Sequence, residues 1–169
     1  MGICRMNRKI FFWCYTLLVW LSIFGVKQMM LPMPVKIFAA IFFSYQSEPF
    51  LIAAVCVLAL LFEYVSIVIP REELISSALF VSIRQPSSKI LAASYFRFLL
   101  PYIVPFALFK GYALWLHFSL ISVLWFLGSL TVWLLLVFSL PRKQNATVIN
   151  ILIFIAVMFL RLWGFMIIS

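Results

Sequence analysis

The feature that most constrains this chain is the spacing of its charges, which fall between apolar stretches about as long as a bilayer is thick. A membrane-spanning helix needs roughly 20 mostly apolar residues, because the hydrocarbon core is about 30 Å thick and a helix rises about 1.5 Å per residue. Only 10% of the 169 residues are charged and 67% are hydrophobic, whereas soluble domains carry about 25% charged residues. The sequence therefore predicts an all-α, polytopic integral membrane protein.

Five stretches are predicted to span the membrane. They cover residues 10–26, 49–69, 90–109, 112–140 and 148–168. A sixth apolar stretch, 29–43, is short for a crossing and is interrupted by Pro32, Pro34 and Lys36, so an interfacial or re-entrant helix is preferred there. We therefore expect one transmembrane domain over 1–169, with five to six transmembrane helices.

The basic residues in the loops predict the orientation, because cytoplasmic loops carry an excess of Lys and Arg. A cytoplasmic amino terminus places eight basic residues inside and three outside. Those inside are Arg5, Arg8, Lys9, Arg71, Arg84, Lys89, Arg142 and Lys143, and those outside are Lys27, Lys36 and Lys110. The formal charge of +9 is thereby explained: basic residues flank the spans, orient them in the membrane and attract anionic lipid headgroups. Nucleic acid is not an expected partner.

A short amphipathic helix is predicted over 71–83, between the second and third spans. Its apolar residues share one face, and two acids occupy its first turn, where the helix dipole favours negative charge. The apolar face consists of Leu74, Ile75, Ala78, Leu79 and Ile83, and the acids are Glu72 and Glu73. Periodicity alone is equally compatible with a connector resting on lipid and with a docking element for a partner.

The order of residues here resembles that of the type-2 ABC exporter permeases. In that family, an acidic start and a short helix lead through a Pro-Val-Ser-Arg-like turn to an Ile-Leu-x-x-Lys entry into the next span. In this chain the acids are followed by Ile83-Arg84-Gln85-Pro86-Ser87-Ser88-Lys89-Ile90-Leu91. The resemblance covers about 49–110, and the chain departs from the family pattern at Ser94, where a lysine is expected.

The resemblance implies a transport function with separate partners. The segment 71–83 would be a cytoplasmic coupling helix on which an ABC ATPase subunit docks. The docking residues would be Arg71, Glu72, Glu73, Leu74, Ile75, Leu79 and Ile83. A second permease copy or a paralogous permease would complete an exporter of an apolar or amphipathic cargo, such as a peptide or a lipid-like molecule, in a bacterial cytoplasmic membrane. The alternative is a small non-transporting membrane protein, such as an immunity factor or an accessory subunit of a larger transporter.

The sequence predicts no enzyme activity of its own. It has no GxxxxGK[ST] phosphate loop, so ATP and Mg²⁺ are expected on the partner subunit. Its one histidine and four acids do not form a metal-ligand or paired-carboxylate pattern. We therefore expect no catalytic residue, no metal site and no directly bound cofactor.

Two charges within the predicted spans are expected to form an ion pair, because an ion in lipid is costly and is usually paired or faces water. Glu63 lies about seven residues before the end of the second span, and Arg97 lies about seven after the start of the third. Both would then sit roughly 11 Å deep, where they either pair or snorkel separately to the interface.

Three further residues are candidates for a transport pathway. Arg161, deep in the fifth span, either snorkels outward, which is the preferred interpretation, or lines a path for an anionic group. Trp125 and Trp133 in the fourth span either line an apolar cavity or face lipid, and lipid contact is the commoner role.

Overall fold

The apolar runs form helices because lipid offers no hydrogen-bond partners to the backbone, and a helix satisfies its own backbone groups. The computed structural model describes residues 2–29, 38, 41–43, 50–84, 88–116, 118–138 and 146–168. These residues contain no strand. Their long helices are α1 (Gly2–Met29), α2 (Phe50–Arg84), α3 (Ser88–Leu116), α4 (Leu120–Phe138) and α5 (Ala146–Ile168).

Each of these five helices contains a segment long and apolar enough to cross a membrane. The segments are Arg8–Met29, Phe50–Ser76, Ala93–Leu116, Leu120–Phe138 and Thr147–Gly164. The chain is therefore an integral membrane protein of the all-α class, which confirms the predicted fold class.

The predicted boundary between the third and fourth spans is wrong. The sequence predicts Lys110 in an external loop and a long span that begins at residue 112, but α3 continues to Leu116 and α4 begins at Leu120. The helix does not stop at Lys110 because this side chain is buried against an acid. The fourth crossing then needs only the 19 residues of α4.

The segment 71–83 is not a separate helix in the structure. It forms the carboxyl-terminal part of α2, which continues through Pro70 to Arg84. Proline removes one backbone donor, but the charges that follow it find partners: Arg71 donates to Asn150 Oδ1 at 3.5 Å and Glu72 pairs with Arg8 at 3.0 Å. The helix of the second predicted span therefore continues beyond residue 69, and the break predicted between it and 71–83 is absent.

The interfacial or re-entrant segment predicted over 29–43 falls mostly outside the described residues. Within it, Met29 ends α1, and Phe38 and residues 41–43 are helical and buried. These buried residues pack among the long helices: the Phe42 ring centroid lies 4.8 Å from that of Phe109 on α3.

The first three helices alternate in direction. Helices α1 and α2 are antiparallel, since Arg8 near the start of α1 bonds Glu72 far along α2, while Tyr15 Oη donates to the carbonyl of Leu58, earlier in α2, at 3.0 Å. Helices α1 and α3 are parallel, because the contacts between them advance along both helices in the same order.

The parallel register of α1 and α3 is set by aromatic and cation contacts. Lys9 lies 5.4 Å from the Phe98 ring centroid near the start of both helices. Further along both, the ring centroids of Trp20 and Tyr112 are 5.4 Å apart. The carboxyl ends of α1 and α3 therefore lie on the same side of the bundle.

The last two helices continue the alternation. Helix α5 is antiparallel to α2, since Arg71 meets Asn150 early in α5 whereas Cys56 meets Arg161 late in it. Helix α4 is antiparallel to α3: the Trp133 ring lies 5.9 Å from that of Phe106, and Phe126 lies beside Gly111. Helix α2 contacts all four other long helices, so it forms the centre of the bundle.

Candidate functional site

A cluster of three charged residues lies at the centre of the bundle, where α2, α3 and α5 meet. Glu63 Oε1 accepts hydrogen bonds from Lys110 Nζ at 2.7 Å, from Arg161 Nη2 at 2.6 Å and from Arg161 Nε at 3.1 Å. One carboxylate oxygen thus links two cations on two different helices. The three residues are hereafter called the charge cluster.

The charge cluster is almost entirely buried within the helix bundle. Its members Glu63, Lys110 and Arg161 are only 5%, 3% and 2% exposed, respectively. Charges interact far more strongly in such a low-dielectric setting than in water, but each pays a large desolvation cost. The cluster therefore links α2, α3 and α5. Loss of any one of its three charged groups would leave another charge buried without one of its partners.

Backbone carbonyls also accept hydrogen bonds from both cations. Arg161 Nη1 donates to the carbonyl of Cys56 at 3.2 Å and to that of Ile41 at 3.3 Å, and Lys110 Nζ donates to the carbonyl of Phe42. The Lys110 ammonium also lies 5.2 Å from the Phe43 ring centroid, within cation–π range. The short helical piece 41–43 is thereby fixed to the charge cluster.

The predicted pairing of Glu63 with Arg97 is wrong. Arg97 is exposed, and the partners of Glu63 are Lys110 and Arg161. The reason is the length of α2: Glu63 lies 21 residues before its end at Arg84, and Lys110 lies 22 residues after the start of α3 at Ser88. An antiparallel hairpin of two unbroken helices brings those two positions level, whereas Arg97 lies only nine residues into α3.

Arg161 does not snorkel outward, contrary to the preferred interpretation of the sequence. Its guanidinium turns into the bundle and forms two of the three bonds to Glu63. Trp133 is also buried, at 1% exposure, rather than facing lipid. Its indole Nε1 donates to Ser66 Oγ at 3.1 Å, and Ser66 Oγ donates to the backbone carbonyl of Glu63 at 2.7 Å.

Replacing Trp133 with Phe is expected to lower stability, because it removes the hydrogen bond to Ser66 and part of a buried ring. The expected loss is about 1 kcal/mol, measured as thermal unfolding of the detergent-purified protein. Trp115→Phe is the matched control, since Trp115 is 77% exposed. Equal effects of the two substitutions would contradict the packing described here.

A cavity of about 90 Å³ adjoins the charge cluster. All three cluster members border it, together with Phe43, Trp125, Gly128, Ser129, Val132 and Leu160. Its wall is thus charged on the side of α2, α3 and α5 and mostly apolar on the side of α4. Of the three residues predicted to line a pathway, Arg161 and Trp125 border this cavity.

The residues predicted to dock an ATPase are divided by the structure into buried and accessible ones. Arg71, Glu73 and Leu74 are only 1–3% exposed, so they pack within the bundle. Ile75 is 46% exposed, and the side chain of Glu72 is 40% exposed. The side chains of Leu79 and Ile83 lie outside the described part of the chain.

A scan of protein-family models, a search of curated proteins and a search of solved structures found no match to this chain. Among the described residues, no group of three or more His, Cys, Asp or Glu residues is placed to hold a metal ion. The charge cluster and the cavity beside it are therefore the features of the molecule that bear on its function.

Sequence reasoning missed Lys110 and the backbone partners of the cluster. Counting both helices outward from the break after Arg84 would have placed Lys110 opposite Glu63, so that contact was accessible from the sequence. The carbonyls of Ile41, Phe42 and Cys56 carry no cue of residue type, since every residue has a carbonyl group. Only the three-dimensional path of the chain identifies them.

Proposed function

We propose that this chain is the membrane subunit of an ATP-driven exporter and that the cavity beside the charge cluster takes part of an amphipathic cargo. The observation that carries the proposal is that three buried charges border a cavity within a bundle of apolar helices. Ionisable residues inside a membrane are costly, and they commonly mark substrate or ion pathways. A wall with Lys110 and Arg161 on one side and Trp125 and Val132 on the other suits a molecule with polar and apolar parts.

The energy for transport would come from a separate ATPase subunit, as the resemblance to type-2 exporter permeases implies. Because Arg71, Glu73 and Leu74 are buried, the proposed contact is restricted to the part of α2 around the exposed Ile75 and to the residues that follow it in the chain. Movement of this part of α2 would be transmitted to the cavity, because Ile75 and Glu63 belong to the same continuous helix.

The proposed orientation has the amino terminus in the cytoplasm of a bacterial cell. The alternation of helices puts the start of α1, the end of α2, the start of α3 and the start of α5 on one side. Basic residues concentrate at those ends, as at Arg8, Arg84 and Lys89, and the positive-inside rule assigns such ends to the cytoplasm.

Affinity purification from the native membrane tests the ATPase contact. The tagged protein is expected to recover a nucleotide-binding subunit, and Ile75→Arg is expected to lose it because the substitution puts a charge on the accessible contact face. Phe50→Arg is the matched control, since Phe50 is also exposed and begins the opposite end of α2. Recovery of no ATPase from either protein, under conditions that preserve other membrane complexes, would contradict the exporter proposal.

The second candidate is a non-transporting accessory or immunity protein. The observation that favours it is that Lys110 and Arg161 bind both Glu63 and the backbone of 41–43. Cross-links of this kind rigidify a bundle, which suits a protein that does not change conformation. This candidate predicts that the chain is recovered with another membrane protein or a toxin and without a nucleotide-binding subunit.

A further inference from the structure

The wall of the cavity presents polar atoms that the described residues leave unused. All three bonds to Glu63 go to Oε1, and its Oε2 accepts none from the described residues. An ammonium group has three N–H donors, and described acceptors take two from Lys110, namely Phe42 and Glu63. No described residue accepts a hydrogen bond from the indole N–H of Trp125, which also borders the cavity.

Hydrogen-bond donors also predominate among the charged residues that border the cavity. Lys110 and Arg161 are cations, and Glu63 is the acid that both contact. An anionic group that accepts from the Lys110 ammonium and the Trp125 indole N–H therefore suits the site, and a neighbouring hydroxyl would donate to the free carboxylate oxygen of Glu63.

The cavity is accessible from the side of α4 and close to one end of the bundle. Gly128 on its wall is exposed, and a Cβ added there would have no atom within 4 Å. Lys110 lies six residues before the end of α3 at Leu116, about 9 Å at helical rise. A lipid headgroup drawn slightly into the membrane would reach this depth.

The size of the cavity suits a small polar group. A water molecule needs about 10–15 Å³ of such cavity volume, so the volume of about 90 Å³ has room for several water molecules. One tetrahedral oxyanion with a neighbouring hydroxyl is of that order.

We propose that the cavity binds a phosphate ester that also carries a hydroxyl group. A phosphate oxygen would accept from Lys110 and from Trp125, and the hydroxyl would donate to Glu63 Oε2. Two sources share this chemistry, a phosphoglycerol lipid headgroup and a soluble sugar or glycerol phosphate. This inference rests on the proposed function in that it names the polar part of the cargo, but binding can be measured without transport.

Native mass spectrometry of the full chain tests the inference. The detergent-purified protein is offered an equimolar mixture of phosphatidylglycerol, phosphatidylmethanol and phosphatidylcholine with identical acyl chains. The first two carry the same charge, but only phosphatidylglycerol has free hydroxyls. Preference for phosphatidylglycerol over phosphatidylmethanol by about tenfold is expected, because the difference is a hydrogen bond to a charged acceptor.

Two glycine variants show whether that preference arises in the cavity. Gly128→Leu fills the opening and is expected to abolish the preference, whereas Gly25→Leu on α1 is expected to retain it. Neither position has an atom within 4 Å of an added Cβ, so neither substitution should prevent folding. Adding sn-glycerol 3-phosphate identifies the source: competition assigns the site to a soluble ester, and persistence of the lipid preference assigns it to a headgroup.

Equal binding of phosphatidylglycerol and phosphatidylmethanol would overturn the inference, as would a preference unchanged in Gly128→Leu. These failures are distinct from failure of the exporter proposal. Selective binding without any recovered ATPase would overturn the exporter function and leave the phosphate-ester site in place.

Discussion

Replacing Glu63 with Leu is expected to prevent accumulation of the folded protein. The substitution removes the carboxylate that both cations share and leaves Lys110 and Arg161 buried close together with no acid between them. Removing one partner of a buried ion pair costs about 3–5 kcal/mol, which is a large part of the total stability of most domains. Fluorescence-detected size-exclusion chromatography of the solubilised membrane would show loss of the monodisperse peak.

Two control variants separate this effect from a general intolerance to mutation. Glu72→Gln breaks the exposed pair with Arg8, which is worth about 0–1 kcal/mol, so that variant should accumulate normally. Replacing the whole cluster by Glu63→Leu, Lys110→Met and Arg161→Met should restore much of the folded yield, because well-packed apolar groups often replace buried ions without loss. Normal accumulation of Glu63→Leu alone would contradict the role assigned to the charge cluster.

The Gly164→Ala variant is expected to unfold at a clearly lower temperature than the unmodified protein. A Cβ at this position would overlap the backbone oxygen of Phe43 and lie 3.2 Å from two atoms of the Trp125 ring. A backbone oxygen cannot rotate away as a flexible side chain does, so the piece 41–43 must shift from α5. Overpacking of this kind costs typically about 1–3 kcal/mol.

Gly25→Ala is the matched comparison for Gly164→Ala. It adds the same methyl group to a glycine in a long helix, where no atom lies within 4 Å of the new Cβ. Alanine is the better helix former by about 1 kcal/mol, so its unfolding temperature should stay the same or rise. If both variants unfolded at the same temperature, the close approach of Phe43 to α5 would be wrong.

The membrane class of the fold was predictable because hydrophobic length is a direct consequence of bilayer thickness. Helix ends were less predictable, and both errors had the same origin. Pro70-Arg71-Glu72-Glu73 and Lys110-Gly111 look like loop residues by composition, yet each lies within a helix because Arg71 and Lys110 find partners on other helices. Tertiary contacts of this kind are not written in the local sequence.

The candidate site was predictable in part for a similar reason. Glu63 and Arg161 stood out because a charge in an apolar stretch needs compensation, and both belong to the charge cluster. Their mutual contact joins positions 98 residues apart, and counting along one hairpin, which would have placed Lys110 opposite Glu63, does not extend to α5. The unused atoms around the cavity depend on side-chain directions and could not be inferred at all.

The most direct test of the central claim is to measure phosphatidylglycerol binding by the variant in which Glu63, Lys110 and Arg161 are all replaced by Leu or Met. This variant separates the two roles of the charges, because it should keep the fold while it removes the charged groups that border the cavity. We expect a folded, monodisperse protein that binds phosphatidylglycerol, phosphatidylmethanol and phosphatidylcholine equally. A folded triple variant that still prefers phosphatidylglycerol by about tenfold would contradict the account, because the charges would then serve only to hold the helices together.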